Sequence, residues 1–428
     1  MKLFNNGLHS RGGLINKTPV RSKPRSLKTL RLAARCPLQI SSVLLAVALS
    51  HTGPLQAQER PAALPGAPKF LGADSCSSSG CHGGAGDVRK QFIVWSKQDF
   101  HTRSYATLTT ARSEVIAKAL GLPNATTHAK CTSCHAPLHQ VPSVQLTKGL
   151  DLKEGVSCES CHGPGERWLR SHTRPDLSHA DRVHAGQRDL KNLYVRANSC
   201  VACHQTVEAD LLTAGHPELI FELDGQAVTE PKHWREKGTW SGAQAWLVGQ
   251  AVALREMSWQ LARADSTAGK NAAKTKELSE RWQGLLWLMQ KTDGLDADLP
   301  SFKGVFLVAG TDNVTATQSL TDKFAMNAAR LEWSNEMTAR CLKQIAASHA
   351  EFRAQVQDKA VHARRAERLV LAVDRLVAAL DKKSAGTALD ADVARLFKLA
   401  QSVPDFDPAA FATALEQFSG KLNQLASR

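Results

Sequence analysis

The sequence predicts a mainly α protein made of two different parts, and three observations support this. A Cys-x-x-Cys-His pattern is repeated in the first half of the 428 residues. The peptide between the repeats is rich in Gly, Ser, His and Pro, which favours turns over regular secondary structure. After Trp234 the composition changes to Ala, Leu, Lys, Glu and Gln, with apolar residues at helical spacing. We therefore expect one domain at residues 58–235 and a helical bundle at residues 236–428.

The repeated pattern places two cysteines one helical turn apart, with a histidine directly after the second cysteine. Three copies have the strict spacing, and a fourth, upstream copy has four intervening residues instead of two. The four copies contribute Cys76, Cys81 and His82; Cys131, Cys134 and His135; Cys158, Cys161 and His162; and Cys200, Cys203 and His204. This is the attachment pattern of haem c, in which the thiols bind the macrocycle and the histidine is the proximal iron ligand. The sequence therefore predicts four covalently attached haem c groups, the first at a variant site.

Structural zinc is the main alternative for paired cysteines of this spacing. Zinc sites do not require a histidine after every second cysteine, and here all four pairs have one. The peptide of residues 58–235 also lacks enough apolar side chains to bury a core of its own, so we expect the haems to serve as that core.

The sixth iron ligands are predicted from composition. No methionine lies between residues 58 and 235, which excludes local His/Met ligation and favours bis-histidine coordination of most irons. Eight further histidines lie in this segment: His101, His128, His139, His172, His179, His184, His216 and His233. We favour His101, His172 and His216 as ligands, and we expect the other five to be surface or hydrogen-bonding residues.

Residues 1–57 are predicted to be a signal peptide. They contain nine basic residues and no acidic one, then an apolar run at residues 41–49 and a cleavage site after Ala57. The run is too short to span a bilayer. Haem c is attached outside the bacterial cytoplasm, so the predicted location is the periplasm. Without the basic residues of the leader the net charge falls from +14 to +5, which is weak evidence for nucleic acid binding.

The second half is predicted to be a scaffold or docking domain without chemistry of its own. Helices are expected at residues 243–264, 278–289, 323–352, 361–380, 392–403 and 408–425, a loop at 311–317 and a break at 382–386. Its tryptophans are expected in the core or against the haem domain, and His349 and His362 on solvated helix surfaces. Of the two cysteines outside the motifs, Cys36 lies in the leader and Cys341 is expected to be buried.

Three segments resemble the tetrahaem cytochrome c-554 family. They are residues 155–165 (GVSCESCHGPG) followed by His172, the segment from Trp95 to His101, and Gly215-His216-Pro217. The resemblance covers residues 70–235. It implies haems stacked in close pairs, mostly bis-histidine ligation, one haem that can be five-coordinate, and periplasmic electron transfer. The chain differs from the family in its longer first haem motif and in Thr102, where the family usually has alanine.

The sequence therefore predicts a periplasmic tetrahaem electron carrier that exchanges electrons with periplasmic or membrane-bound oxidoreductases. It predicts neither a membrane span nor nucleic acid binding. The alternative is a multihaem oxidoreductase in which one five-coordinate haem acts on a small nitrogen species or peroxide. A third hypothesis is an assembly subunit that docks onto a larger respiratory complex through its helical half.

Overall fold

The chain is mainly α-helical, as predicted. The computed structural model describes residues 66–205, 207–234, 236, 241–264, 271–354, 359–380, 388–400 and 405–426. These residues form helices and turns, with a single isolated bridge between Phe70 and Leu146. The predicted signal peptide with Cys36, Trp240, the break at 382–386 and the predicted helix end at 401–403 lie outside the described residues. No described helix combines the length and apolarity needed to cross a membrane.

The first half consists of short helices joined by turns, as its composition predicts. The helices are α1 (Gln91–Gln98), α2 (Ser104–Thr107), α3 (Ala111–Ala119), α4 (Ala129–His135), α5 (Cys158–His162), α6 (His179–His184), α7 (Leu193–His204), α8 (Ala209–Thr213) and α9 (Leu223–Thr229). Each strict Cys-x-x-Cys-His motif forms the last turn of a helix that ends at its histidine: α4, α5 and α7. The variant motif instead runs from a 3₁₀ turn at Ala73–Cys76 through a loop to His82.

The second half is a bundle of longer helices. They are α10 (Gly242–Ala264), α11 (Ala272–Gln290), α12 (Thr311–Ala328), α13 (Asn335–Ala346), α14 (Lys359–Ala379), α15 (Asp390–Ala400) and α16 (Pro408–Ala426). Every residue of α10 from Ala243 to Leu254 is buried. A helix that is buried on all sides occupies the centre of its bundle. Accordingly, α10 packs against α7, α9, α11, α12 and α14.

Two secondary-structure predictions in this half were wrong, one of a loop and one of a helix. The predicted loop at residues 311–317 is the first part of α12, where the Thr317 hydroxyl donates to the carbonyl of Asn313 (2.7 Å). Back-bonding of this kind satisfies a buried threonine inside a helix, so the polar composition did not indicate a loop. The predicted helix at 323–352 is interrupted after Ala328 and resumes at Asn335, where the Ser334 hydroxyl caps α13. A serine N-cap is a start signal that the apolar periodicity did not reveal.

The third strict motif is anchored in the core of the helical bundle. Leu193, Ala197 and Val201 lie at successive helical turns of α7 and belong to the same hydrophobic cluster as the buried side chains of α10. On the outer side of this contact, the Tyr194 hydroxyl donates to Asp322 Oδ1 (2.7 Å). Residues 57–428 accordingly form one compact unit.

Four charged side chains, three of them buried and Arg375 half-buried, lie where α9 meets α10 and α14. Arg368 lies 3.6 Å from Glu222, and Arg375 lies 3.5 Å from Asp224. Gln250, also buried, donates to Glu222 Oε2 (2.9 Å). Burial raises the pKa of Glu222 to about 7 and that of Asp224 to about 6, although the neighbouring arginines oppose the shift. The cluster ties the segment after His216 to the two longest helices of the bundle.

We expect Arg368→Met to destabilise the protein strongly at pH 8, where Glu222 is mostly ionised, because it leaves this buried carboxylate without its nearby guanidinium. Breaking a buried pair in this way costs about 3–5 kcal/mol. Chemical denaturation followed by circular dichroism measures the loss. The control is Glu416→Gln, which removes an exposed partner of Arg353 and should leave the denaturation midpoint nearly unchanged. A similar midpoint for both variants would contradict a structural role for the cluster.

Candidate haem-binding site

Three motif histidines face three histidines from elsewhere in the first half. The ring centroids of His82 and His172 are 6.0 Å apart, with nearly parallel planes at 23°. Those of His204 and His101 are 6.0 Å apart at 90°. Those of His135 and His216 are 6.4 Å apart at 69°. The three partners are the ones that the sequence favoured as distal ligands.

These separations match the space that one iron occupies between two imidazoles. A metal–imidazole nitrogen bond is about 2 Å long, and the ring centre lies about 1 Å beyond the nitrogen, so two axial rings on one iron are about 6 Å apart. Direct aromatic contacts have centroid distances in the same range, so the indication lies in the pairing. Each of the three pairs joins a motif histidine to a histidine outside the motifs. The residues present therefore fit three six-coordinate haem irons.

The ring nitrogens of the paired histidines have a common arrangement. In five of the six rings Nδ1 has a hydrogen-bond partner: Gln91 Oε1 for His82 (2.9 Å), the Leu169 carbonyl for His172 (2.5 Å), Asp99 Oδ1 for His101 (3.0 Å), the Ser104 carbonyl for His135 (3.1 Å) and the Pro217 carbonyl for His216 (2.8 Å). An acceptor at Nδ1 fixes the tautomer with the proton on that nitrogen. Nε2 is then the nitrogen with a lone pair for a metal.

Local structure holds each of the three distal candidates. His101 lies in a 3₁₀ turn (Phe100–Arg103) that is capped by Asp99, and its carbonyl accepts from the backbone of Val156 (3.1 Å). His172 packs edge-on against buried Trp168, with ring centroids 5.4 Å apart. His216 follows Gly215, whose φ of +103° suits glycine and whose carbonyl accepts from Arg112 (2.8 Å).

The remaining motif histidine, His162, has a different environment. Among the described residues, which include every histidine from His82 onward, no ring lies opposite His162 in a pair of this kind. Burial lowers its pKa to about 4, and nearby positive charge, including that of the Arg188 guanidinium, adds to the effect. The Arg188 guanidinium donates to the carbonyls of Ser160 and Cys161 and so caps the end of α5. His162 is therefore a partly buried imidazole with a lowered pKa, and no described imidazole opposes it.

The cysteines of different motifs also lie together, and their sulfurs stand in for the thioether sulfurs of a haem-loaded protein. Hydrogen bonding to Cys158 lowers the pKa of the Cys76 thiol to about 7, and hydrogen bonding to Cys203 does the same for Cys134. Burial raises the pKa of Cys200 to about 12, with a further contribution from Cys161. Cys76 is thus hydrogen-bonded to Cys158 and Cys134 to Cys203, while Cys161 lies near Cys200, so the motifs are neighbours in the order first, third, fourth, second.

The five histidines that the sequence disfavoured as ligands have other contacts or positions. His128 caps α4 by accepting from the Lys130 backbone (3.2 Å), and His139 stacks on Tyr105. His179 Nε2 bonds Asp189 Oδ1 (2.8 Å), and His184 ends α6. His233 packs against Trp234, beside a cavity of about 360 Å³ that Gln91 and Lys232 also line.

Sequence reasoning missed the buried Glu159, which lies between the two cysteines of the third motif in the chain. Its carboxylate accepts hydrogen bonds from the backbone N–H groups of Leu71 (2.9 Å), Gly72 (2.7 Å) and Gly165 (2.5 Å). Glu159 is only 2% exposed. Gly72 directly precedes the 3₁₀ turn that ends at Cys76. One carboxylate thus joins the first and third motifs. An acid inside the motif was the only sequence signal for this role.

The aromatic, cysteine and histidine side chains singled out in the helical half lie mainly in its own core. Trp246, Trp282 and Trp287 are buried in its core, and Cys341 is also fully buried, as predicted. His362 was expected on a solvated surface, but it is buried against Phe352, with ring centroids 5.5 Å apart. The apolar helix face around it continues through Val361 and Ala363, which the histidine position alone did not indicate.

The first three motifs lie inside a region that resembles known proteins. Residues 75–163 match the family described as cytochrome c554 and c-prime. The match supports a c-type cytochrome of electron transfer, with covalently bound haem c. No curated protein and no solved structure matches the chain. The match ends directly after His162, so α7 with the fourth motif and the helical bundle lie beyond it.

We expect Glu159→Gln to destabilise the haem-binding half, because the amide replaces a charged acceptor of several backbone N–H groups with a neutral one. Each hydrogen bond to a charged group contributes about 1.5–3 kcal/mol, so the loss in unfolding free energy should reach about 2–5 kcal/mol. Chemical denaturation of the purified protein measures it. Glu166→Gln is the matched control, because exposed Glu166 accepts only from Lys69 N (2.8 Å) among its described contacts. Equal losses in the two variants would contradict the role of Glu159.

Proposed function

We propose that the protein is a tetrahaem c-type cytochrome that transfers electrons between redox partners. The observation that carries this proposal is the set of three imidazole pairs with centroids 6.0, 6.0 and 6.4 Å apart. When bound, haem c supplies one-electron redox chemistry at its iron. The protein supplies the attachment points, the axial ligands and a buried environment.

Each motif has one set of roles in this proposal. The cysteines hold four rings in the pairs Cys76/Cys81, Cys131/Cys134, Cys158/Cys161 and Cys200/Cys203. The proximal ligands are His82, His135, His162 and His204. The distal ligands are His172 opposite His82, His216 opposite His135 and His101 opposite His204. Because both ligands are histidine in each pair, the potentials lack the upward shift that axial methionine gives.

Contacts between motifs support transfer along the chain of haems. Cys76 contacts Cys158, Cys161 lies near Cys200, and Cys203 contacts Cys134. Because these attachment points are neighbours, haems bound to them would be adjacent in the order first, third, fourth, second. The two ends of this series, at His82 and His135, are then the entry and exit points for electrons.

The leader and the helical half complete the proposal. Residues 1–57 direct export, which places haem attachment and function in the periplasm, and the partners are periplasmic or membrane-bound oxidoreductases. Residues 58–235 carry the four haems, and residues 236–428 are a scaffold or docking domain. The insertion of α7 into the hydrophobic cluster around α10 supports the scaffold role.

A second candidate function follows from His162. With no described imidazole opposite it, an iron at this site has room for a sixth ligand from solution. The chain would then be an oxidoreductase acting on a small nitrogen species or peroxide. His233 is the histidine whose charge most affects His162, and it lies beside the cavity at Gln91.

The ligand assignment predicts the effect of single histidine substitutions. His172→Ala, His101→Ala and His216→Ala should each convert one low-spin haem to high spin, because each removes one axial imidazole. Intact mass should still give four haems, since attachment depends on the cysteines. Electron paramagnetic resonance of the oxidised protein measures the spin states. The matched control is His128→Ala, which removes only a helix cap; a high-spin signal there would argue against the assignment.

The two candidate functions predict different spectra for the unaltered protein. An open iron at His162 gives one high-spin signal beside three low-spin ones, and cyanide converts it to low spin with one cyanide bound per chain. Four low-spin signals in the unaltered protein, with one of them converted to high spin in His233→Ala, would assign His233 as the sixth ligand at this site. The protein would then be an electron carrier alone.

A further inference from the structure

We infer that Asp99 is a positioning residue that gives the haem held by His101 and His204 a lower reduction potential than the other two bis-histidine haems. Its carboxylate accepts the Nδ1 proton of His101, and no other axial imidazole with a described Nδ1 partner is bonded to an anion. The inference rests on the proposed function, because it takes His101 as an iron ligand.

The contrast with the other ligands is the basis of the inference. Nδ1 of His172, His135 and His216 bonds a backbone carbonyl, and Nδ1 of His82 bonds the neutral amide oxygen of Gln91. Of the five imidazoles with a described Nδ1 partner, His101 alone has a carboxylate, with Asp99 Oδ1 at 3.0 Å. Four of these imidazoles therefore donate to a neutral acceptor and one donates to a charged acceptor, so their strength as electron donors to a metal differs.

The position of Asp99 makes its charge effective. The residue is 4% exposed, so solvent screens the carboxylate weakly. The same Oδ1 accepts the backbone N–H of His101 (3.0 Å), which fixes the carboxylate relative to the ring. Two further titratable side chains lie near Asp99. A carboxylate oxygen of Glu230 and a ring nitrogen of His233 are each within 4.8 Å of an Asp99 carboxylate oxygen.

A carboxylate at Nδ1 strengthens the imidazole as an electron donor. Hydrogen bonds to an anion are stronger than those to a neutral carbonyl, and they shift electron density from N–H towards the ring. Partners of this kind raise the basicity of a metal-bound imidazole and tune the metal. A more basic ligand favours ferric over ferrous iron, so the reduction potential falls.

The affected site is an internal one. The fourth motif lies between two others: Cys200 is near Cys161 of the third motif, and Cys203 is hydrogen-bonded to Cys134 of the second. An electron that passes between the ends of the series must cross this haem. Asp99 therefore sets the energy of the step that separates the pair at His82 and His162 from the haem at His135.

The test uses the full-length, haem-loaded protein and the variant Asp99→Asn. Asparagine keeps a neutral oxygen for Nδ1 and remains a good cap for the following turn, so only the charge is removed. Optically monitored redox titration should show one of the four one-electron steps shifted to higher potential and the other three unchanged. Electron paramagnetic resonance should show altered g values for one low-spin haem.

The converse variant is Gln91→Glu, which places a carboxylate at Nδ1 of His82. It should shift a different single step to lower potential. Unchanged potentials in Asp99→Asn, or the same step moving in both variants, would overturn the inference. Gln91→Glu keeps the inference testable if Asp99→Asn fails to fold. Failure of the proposed function is recognised separately. In that case the intact mass of the unaltered protein would show fewer than four haems, or its electron paramagnetic resonance spectrum would show fewer than three low-spin bis-histidine signals.

Discussion

The separation of about 6 Å between facing imidazoles is the constraint on which the first half of the protein depends. Its helices are too short to bury one another, and several of them carry a ligand or a cysteine rather than an apolar face. Short helices of this kind are marginal by themselves. Their positions are related by the three pairs of facing histidines and by a few buried polar contacts. The helical half has the opposite character, because α10 is surrounded by apolar neighbours and defines its own core.

Buried carboxylates perform the role that apolar contacts have in an ordinary domain. Glu159 gathers backbone N–H groups from two segments that are more than eighty residues apart in sequence. Asp99 fixes His101 by its backbone and by its ring at once. Each unpaired backbone donor left by the turns would cost free energy if buried, and an anion satisfies several of them together. The polar composition of this half is therefore part of its packing.

Much of this arrangement could be predicted from the sequence. The spacing of cysteines and histidines indicated four attachment sites, and the absence of methionine together with the motif context favoured His101, His172 and His216. Glu159 and Asp99 could not be found in this way, because their roles depend on contacts with distant backbone or with a ligand ring. In the helical half, periodicity predicted α10, α11, α14 and α16. It failed at α12 and at the turn before Asn335, where hydroxyl hydrogen bonds decide the structure.

The spatial order of the motifs differs from their order in the sequence, and the anchoring of α7 explains how this order is held. Leu193, Ala197 and Val201 fix one face of α7 in the rigid core, so the cysteines on its other turns project from a stable frame. Cys200 and Cys203 then meet partners from the third and second motifs on either side. Because packed cores resist deformation, we expect the distances between neighbouring sites to change little when charge is added or removed. Small structural change on reduction favours electron transfer, and under the proposed function the core around α10 would limit movement at the fourth motif.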